Sequence, residues 1–229
     1  HEFDLDFPHL MLRYRAQLFM QGKVSWINRR ITETDKNGKL GCKFNGIANS
    51  ALKEKKFTRP MMQTVLGIHK EAVLPTFENK RLTERAASQS LEIDSTAPGN
   101  GRKVALFATC FSEYNNTKIG MAARAVLAKN GVETVVVYPM CCGMPQLEQG
   151  DISRVAVQAE KSSLELTQWI DQGYDIVSLV PSCTLMLKFE WPLLLPRNEN
   201  IKKLSQATFD IAEYIMDISK REGLSEGMS

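Results

Sequence analysis

The spacing of apolar residues changes character near residue 100. Before it, the pattern is loosely helical. In FPHLMLRYRAQLFMQGKVSWINRRI (7–31), Leu10, Leu12, Tyr14, Leu18, Phe19 and Ile27 stand among arginines at near-helical intervals. The arginine-rich faces read as solvated helix surface. DKNGKLGCKFNG (35–46) is rich in glycine and polar residues and predicts an inter-helix loop. A helix pair is expected over 50–69, interrupted near Pro60. From Pro75 to Arg102 the chain turns polar and ends in STAPGNGR, the composition of a linker. The expected division is a helical N-terminal region with linker over 1–100 and a second domain over 101–229.

After Arg102 short β-branched runs alternate with amphipathic stretches. KVALFAT (103–109), TVVVYP (134–139) and YDIVSLVPS (174–182) read as strands. Helices are predicted over 117–130, stopped by Gly131, and over 151–172, capped by Asp151 and stopped by Gly173. A shorter one runs from Leu185 to about Trp191, and the last spans 201–221. Strand–helix alternation of this kind implies right-handed crossovers. The predicted class is α/β: a helical N-terminal region followed by a Rossmann-like three-stranded parallel sheet flanked by helices.

All three predicted strands end at cysteine. Cys110 follows the first, Cys141 and Cys142 the second, and Cys183 the third. In an open parallel sheet the carboxyl ends share one edge, where ligands bind. Four thiols separated by 30 residues (111–140) and 40 residues (143–182) are therefore expected at one rim. Thiolates select zinc or iron–sulfur, and helix N-termini favour their charge. The plainer reading, free cysteines buried as small hydrophobes, explains one such position more easily than four. Cys42, in the glycine-rich stretch, reads as structural.

Other candidates each have a plain alternative. Asn116 or Thr117 reads as an N-cap. Gln146 and Glu148 flank the tandem cysteines, and Glu148 reads as a solvated carboxylate. Met140, Met144 and Met186 either shield the site or fill the core. Lys188 or Arg124 could balance an anionic cluster, with surface placement the default. His9 and His69 lie outside the motif. GNGRK (99–103) precedes a strand, so it is not a dinucleotide fingerprint.

Composition narrows the class. The 229 residues are 43% hydrophobic and 24% charged, with 29 basic against 26 acidic side chains. The resulting net charge of +3 makes no case for nucleic acid. No run approaches the roughly 18 apolar residues of a spanning helix. Five cysteines in a chain this long point to a reducing cytoplasm rather than a disulfide scaffold. His1-Glu2-Phe3 lacks an initiator methionine and GLSEGMS ends without a cap; the expectation is a piece of a longer polypeptide.

CFSEYNNTKIGMAARAVLAKNG, YPMCCGMPQLEQGD and VPSCTLMLKFEWP resemble the cysteine-rich CCG domain. That domain occurs in the cysteine-rich subunits of heterodisulfide reductase and of anaerobic glycerol-3-phosphate dehydrogenase, and in the glycolate oxidase iron–sulfur subunit. The resemblance covers 103–196. HEFDLDFPHLMLRYRA is similar, more weakly and over 1–80, to the segment after the paired ferredoxin motif of the glycerol-3-phosphate dehydrogenase type. It implies a ferredoxin-like module upstream and a second CCG domain downstream. Position by position, Cys110, Cys141, Cys142 and Cys183 match family ligands, whereas the family's last cysteine falls on Met186. The heterodisulfide reductase type holds a non-cubane 4Fe-4S arrangement on five cysteines. With Met186, a four-thiolate cubane cluster, a zinc ion and an empty site all stay open.

The function so implied is an iron–sulfur electron-transfer subunit of a flavin-linked dehydrogenase or heterodisulfide-reductase-like complex. Electrons would pass toward quinone or disulfide, with dehydrogenase catalysis on a flavin-containing partner. A peripheral place on the inner face of a membrane, through quinone or an anchor, is part of that expectation. The alternatives are a zinc-binding docking module, or metal-free thiol–disulfide chemistry at Cys141 or Cys142.

Overall fold

The computed structural model describes residues 6–54 and 56–227. His1-Glu2-Phe3 and the last two residues of GLSEGMS lie outside them.

The N-terminal region is helical, as its periodicity implies. Helix α1 (Phe7–Met20) starts at Asp6, whose carboxylate accepts from the His9 backbone N–H at 3.3 Å. Helix α2 (Trp26–Ile31) is capped by Ser25. Helix α3 (Thr34–Lys43) occupies the stretch expected to be a loop. Its glycines serve close approach rather than turning. A Cβ on Gly38 would stand 2.2 Å from the Tyr114 ring, and one on Gly41 2.4 Å from the Phe77 ring. Packing thus outweighs the low helix propensity of glycine. Helices α4 (Asn45–Lys53) and α5 (Thr58–Leu66) follow. Pro60 falls in the first turn of α5, where its missing N–H costs no helical bond, so it opens that helix instead of interrupting one.

The polar stretch from Pro75 to Arg102 is bonded to the sheet domain. It contains α6 (Leu82–Ser88), and Leu82 is fully buried over Gly120. The Glu78 N–H donates to the Tyr114 carbonyl at 2.8 Å, and the Asp94 N–H to the Ala128 carbonyl at 3.0 Å. The buried Arg124 guanidinium donates to the Gln89 carbonyl, which places it away from the cysteines.

Strands β1 (Lys103–Phe107), β2 (Glu133–Val137) and β3 (Asp175–Ser178) fall where the β-branched runs predict. They alternate with α7 (Cys110–Tyr114), α8 (Thr117–Lys129), α9 (Met144–Glu148) and α10 (Ile152–Asp171). After β3 come α11 (Pro181–Leu185), a π-helical turn over Met186–Glu190, and α12 (Trp191–Leu194).

The last predicted helix is two helices with a strand between them: α13 (Glu199–Gln206), β4 (Thr208–Asp210) and α14 (Ile211–Arg221). The sheet therefore has four parallel strands, one more than expected, in the order β2-β1-β3-β4. Pairing of Ile176, Val177 and Ser178 with Thr208, Phe209 and Asp210 pulls the chain out of helix. Asp210 then restarts it, its carboxylate accepting from the Ala212 N–H at 2.9 Å while Glu213 accepts from the Asp210 N–H.

Alternation along β1 builds two cores. Ala105 and Phe107 join Ile176, Leu166 and Trp191 on one face, and Val104 and Leu106 join Leu127, Val177 and Tyr214 on the other. Cys141, Cys142 and Cys183 belong to the first. No helix among the described residues is long and apolar enough to cross a membrane.

Candidate functional site

The rim at the carboxyl end of the sheet gathers the four predicted cysteines. Thr109 leaves β1 in extended conformation and caps α7 by accepting from the Ser112 N–H at 3.3 Å, which makes Cys110 the first helical residue. After β2, the chain turns through Tyr138 to Met140 into the tandem pair. Gly143 then takes φ +89°, a left-handed conformation that suits glycine, and a Cβ there would come within 3.2 Å of Val155. Cys183 sits in the first turn of α11.

The sulfurs form a row. Cys142 Sγ lies 3.3 Å from Cys183 Sγ, and Cys110 and Cys142 both act on Cys141. All are free thiols; Cys141, Cys142 and Cys183 are buried and Cys110 is half-buried. Cys141 is held well below the ordinary thiol range. The neighbouring Cys110 and Cys142 thiols lower it most, with smaller contributions from Thr34 and the Gly143 N–H. Cys110 and Cys142 are driven up, first by sharing protons with Cys141 and then, for Cys142, with Cys183, and by burial. Of these thiols, Cys141 is the one whose neighbours favour the anion.

Two further residues reach this rim from α3. The Asp35 carboxylate accepts from the Cys141 N–H at 2.9 Å, the Tyr138 hydroxyl at 2.6 Å and the Tyr114 hydroxyl at 3.4 Å. The shielded Thr34 hydroxyl has no partner at hydrogen-bond geometry and faces the Cys110 and Cys141 thiols. Both lie at the edge of the stretch read as a loop. A Thr-Asp pair opening a helix is the signal that could have found them. Behind the row, the Trp191 indole N–H donates to the Cys142 carbonyl at 3.0 Å, and Met186 is fully buried in the same core.

The other candidates are engaged elsewhere or exposed. Cys42 is buried at the far end of α3 and donates to the Tyr114 carbonyl at 3.4 Å. Lys188 pairs with Glu213 and Glu148 with Arg15. Gln146 is buried and donates to the Thr32 carbonyl. Asn116 stands at the N-cap of α8 without a side-chain cap bond. Met144 packs against the cysteine-bearing core, and His69 is exposed.

His9 bridges Asp6 and Glu190 and so ties α1 to the π turn. Its hydrogen bond to Asp6, with a further one to Glu190, raises its pKa above 6.5. Arg13 is the remaining charged side chain lining the same cleft. A raised folded-state pKa means stability present below 6.5 and lost as pH rises through the folded value. Amide exchange in α1, corrected for its intrinsic rate, is expected to accelerate above that pH, and His9→Phe to abolish the trend. A flat corrected profile in the parent protein would overturn this.

The donor set fits a metal group of the soft kind. Four thiols share one rim, one already favours its anion, and an unpartnered hydroxyl faces them. As they stand, no three His, Cys, Asp or Glu side chains among the described residues are arranged to hold one metal ion.

A family model described as the cysteine-rich domain CCG matches residues 104–188, which include all four rim cysteines. Among curated proteins, the lactate utilization protein A of Bacillus subtilis (strain 168) is 32% identical over 123 residues, covering 51% of this chain and 49% of that protein. Those of Bacillus pumilus (strain SAFR-032) and Bacillus cereus (strain G9842) are 29% and 28% identical, over 51% and 56% of the chain and 49% and 53% of their own lengths. The chain thus spans about half the length of the curated relatives it matches. No solved structure matches.

Proposed function

We propose that this chain, whose residues 104–188 match the CCG cysteine-rich domain, is the iron–sulfur electron-transfer part of a flavin-linked oxidoreductase. The observation that carries this reading is the row Cys110–Cys141–Cys142–Cys183 at one sheet edge. These four would hold the cluster, with Met186 behind them in place of the family's last cysteine. Such a cluster supplies one-electron transfer.

The chain's own residues set the surroundings. Asp35 fixes the Cys141 backbone, Trp191 fixes that of Cys142, and burial keeps water from the inner three sulfurs. The partner is a flavin-containing dehydrogenase subunit, in a cytoplasmic setting at the inner membrane face, with quinone or a disulfide as acceptor. Lactate is the donor in keeping with the names of the relatives.

Anaerobic reconstitution with ferrous iron and sulfide tests this. Stoichiometric iron with a paramagnetic signal on reduction is expected, lost in Cys141→Ser/Cys142→Ser and kept in Cys42→Ser. Zinc alone, equal iron in the double variant, or no metal with a thiol at Cys141 that exchanges disulfides would sink the proposal.

A further inference from the structure

Little charge borders the four cysteines. Beside Cys110 lies a cavity of about 460 Å³, and none of its described lining residues is charged. Behind Cys141, Cys142 and Cys183 the core is apolar, built from residues such as Val155, Met186 and Trp191. Glu113 shares a helix with Cys110 but turns toward α6, where its carboxylate accepts from the Thr83 N–H at 3.1 Å and the Thr83 hydroxyl at 2.7 Å. Among the described residues, Asp35 is the charged side chain that hydrogen-bonds to a cysteine of the row, at the Cys141 N–H.

The charge on Asp35 meets dipoles and no described cation. Its partners are the Cys141 N–H and the hydroxyls of Tyr138 and Tyr114. Burial first, and then the Asp35 carboxylate itself, drive both phenols above their usual range, so both stay neutral donors. Glu33, at the same end of α3, differs: Arg30, Lys36 and Arg154 all pair with it.

Only Cα and Cβ separate the Cys141 amide nitrogen from its sulfur. A fixed negative charge at that range opposes the arrival of a further electron on a group held by the sulfur. The same hydrogen bond withdraws the Cys141 N–H from the donors that could point at a cluster sulfur, and such donors stabilise the more negative, reduced state. Both effects lower the potential.

We propose that Asp35 is a positioning residue that holds down the reduction potential of a cluster on Cys110, Cys141, Cys142 and Cys183, by fixing a charge beside Cys141 and by occupying its N–H. The inference rests on the cluster reading above. Through Asp35, the helical N-terminal region acts on the redox properties of the sheet domain.

The test is a reductive titration of the reconstituted full chain at one pH, with dithionite and mediator dyes, followed by the paramagnetic signal. Dithionite supplies one electron per cluster, and the midpoint is read for each variant after its iron content. In Asp35→Asn the amide oxygen can still accept from Cys141 while the charge is gone. At a fixed poise its ratio of reduced to oxidised cluster should rise roughly tenfold, about 59 mV for one electron. Asp35→Ala also frees the N–H and should rise at least as far. Asp35→Glu keeps the charge and should stay within about twofold of the parent. Tyr138→Phe loosens the same network but leaves the charge, so its ratio should not rise. A rim that merely admits water when loosened would move Tyr138→Phe and Asp35→Asn alike.

Equal midpoints in Asp35→Asn and the parent, an Asp35→Glu shift as large as that of Asp35→Asn, or a matching rise in Tyr138→Phe would each overturn the proposal. If Asp35→Asn takes up no iron, Asp35→Ala carries the same expectation, and failure of both to load overturns it in favour of a purely structural role. A parent that takes up no iron sinks the cluster reading together with this one; a loaded parent with unshifted variants sinks this one alone.

Discussion

Gly38→Ala is expected to destabilise the protein by about 2–3 kcal/mol, although alanine is the better helix former by about 1 kcal/mol. The reason is steric. The new methyl would stand 2.2, 2.4 and 2.7 Å from three carbons of the Tyr114 ring. That ring is buried, packs edge-on to Tyr138 with centroids 5.7 Å apart, and holds its hydroxyl toward Asp35. It has nowhere to swing, so α3 must lift. Gly46 supplies the control. It lies in α4, and a Cβ there meets nothing within 4 Å. Gly46→Ala is expected to be neutral or to stabilise by up to about 1 kcal/mol. Urea unfolding of the two variants decides the matter: equal midpoints would mean that α3 does not rest on Tyr114 as described. Since α3 carries Thr34 and Asp35, the Gly38 variant should also lose reconstituted iron faster than the parent.

Asp35→Ala is expected to cost about 2–4 kcal/mol. It strips the acceptor from the Cys141 N–H and the Tyr138 hydroxyl. Each buried donor left unpaired costs about 1–3 kcal/mol. It also removes a carboxylate from the first turn of α3, where the helix dipole favours it. Asp35→Asn should fall between, because the amide oxygen can accept while its NH2 faces donors. Two measurements separate the effects: unfolding of the metal-free protein, and the rate at which a chelator strips reconstituted iron. If Asp35→Ala matches the parent in both, the carboxylate has no part in holding the tandem-cysteine turn.

What could be read from the chain was whatever depends on local alternation. The β-branched runs of β1 to β3 and the stops at Gly131 and Gly173 appear where expected, because they answer to neighbours a few residues away. The shared edge of Cys110, Cys141, Cys142 and Cys183 was also readable, since parallel topology is implied by the order of elements. β4 was not readable. Three residues inside a helical pattern become strand only because β3 offers a free edge. Nor was α3, whose glycines look like turn signals until Tyr114 and Phe77 lie against them.

The sequence by itself determined the α/β order and the gathering of four thiols at one rim, because strand ends and crossovers follow from the pattern of short apolar runs. Only the tertiary structure decided that α3 covers that rim, that Asp35 holds Cys141, and that a cavity without described charged lining residues opens beside Cys110. Those contacts join residues roughly 75 to 105 positions apart through ring, methyl and carboxylate packing, and no local periodicity encodes such a meeting.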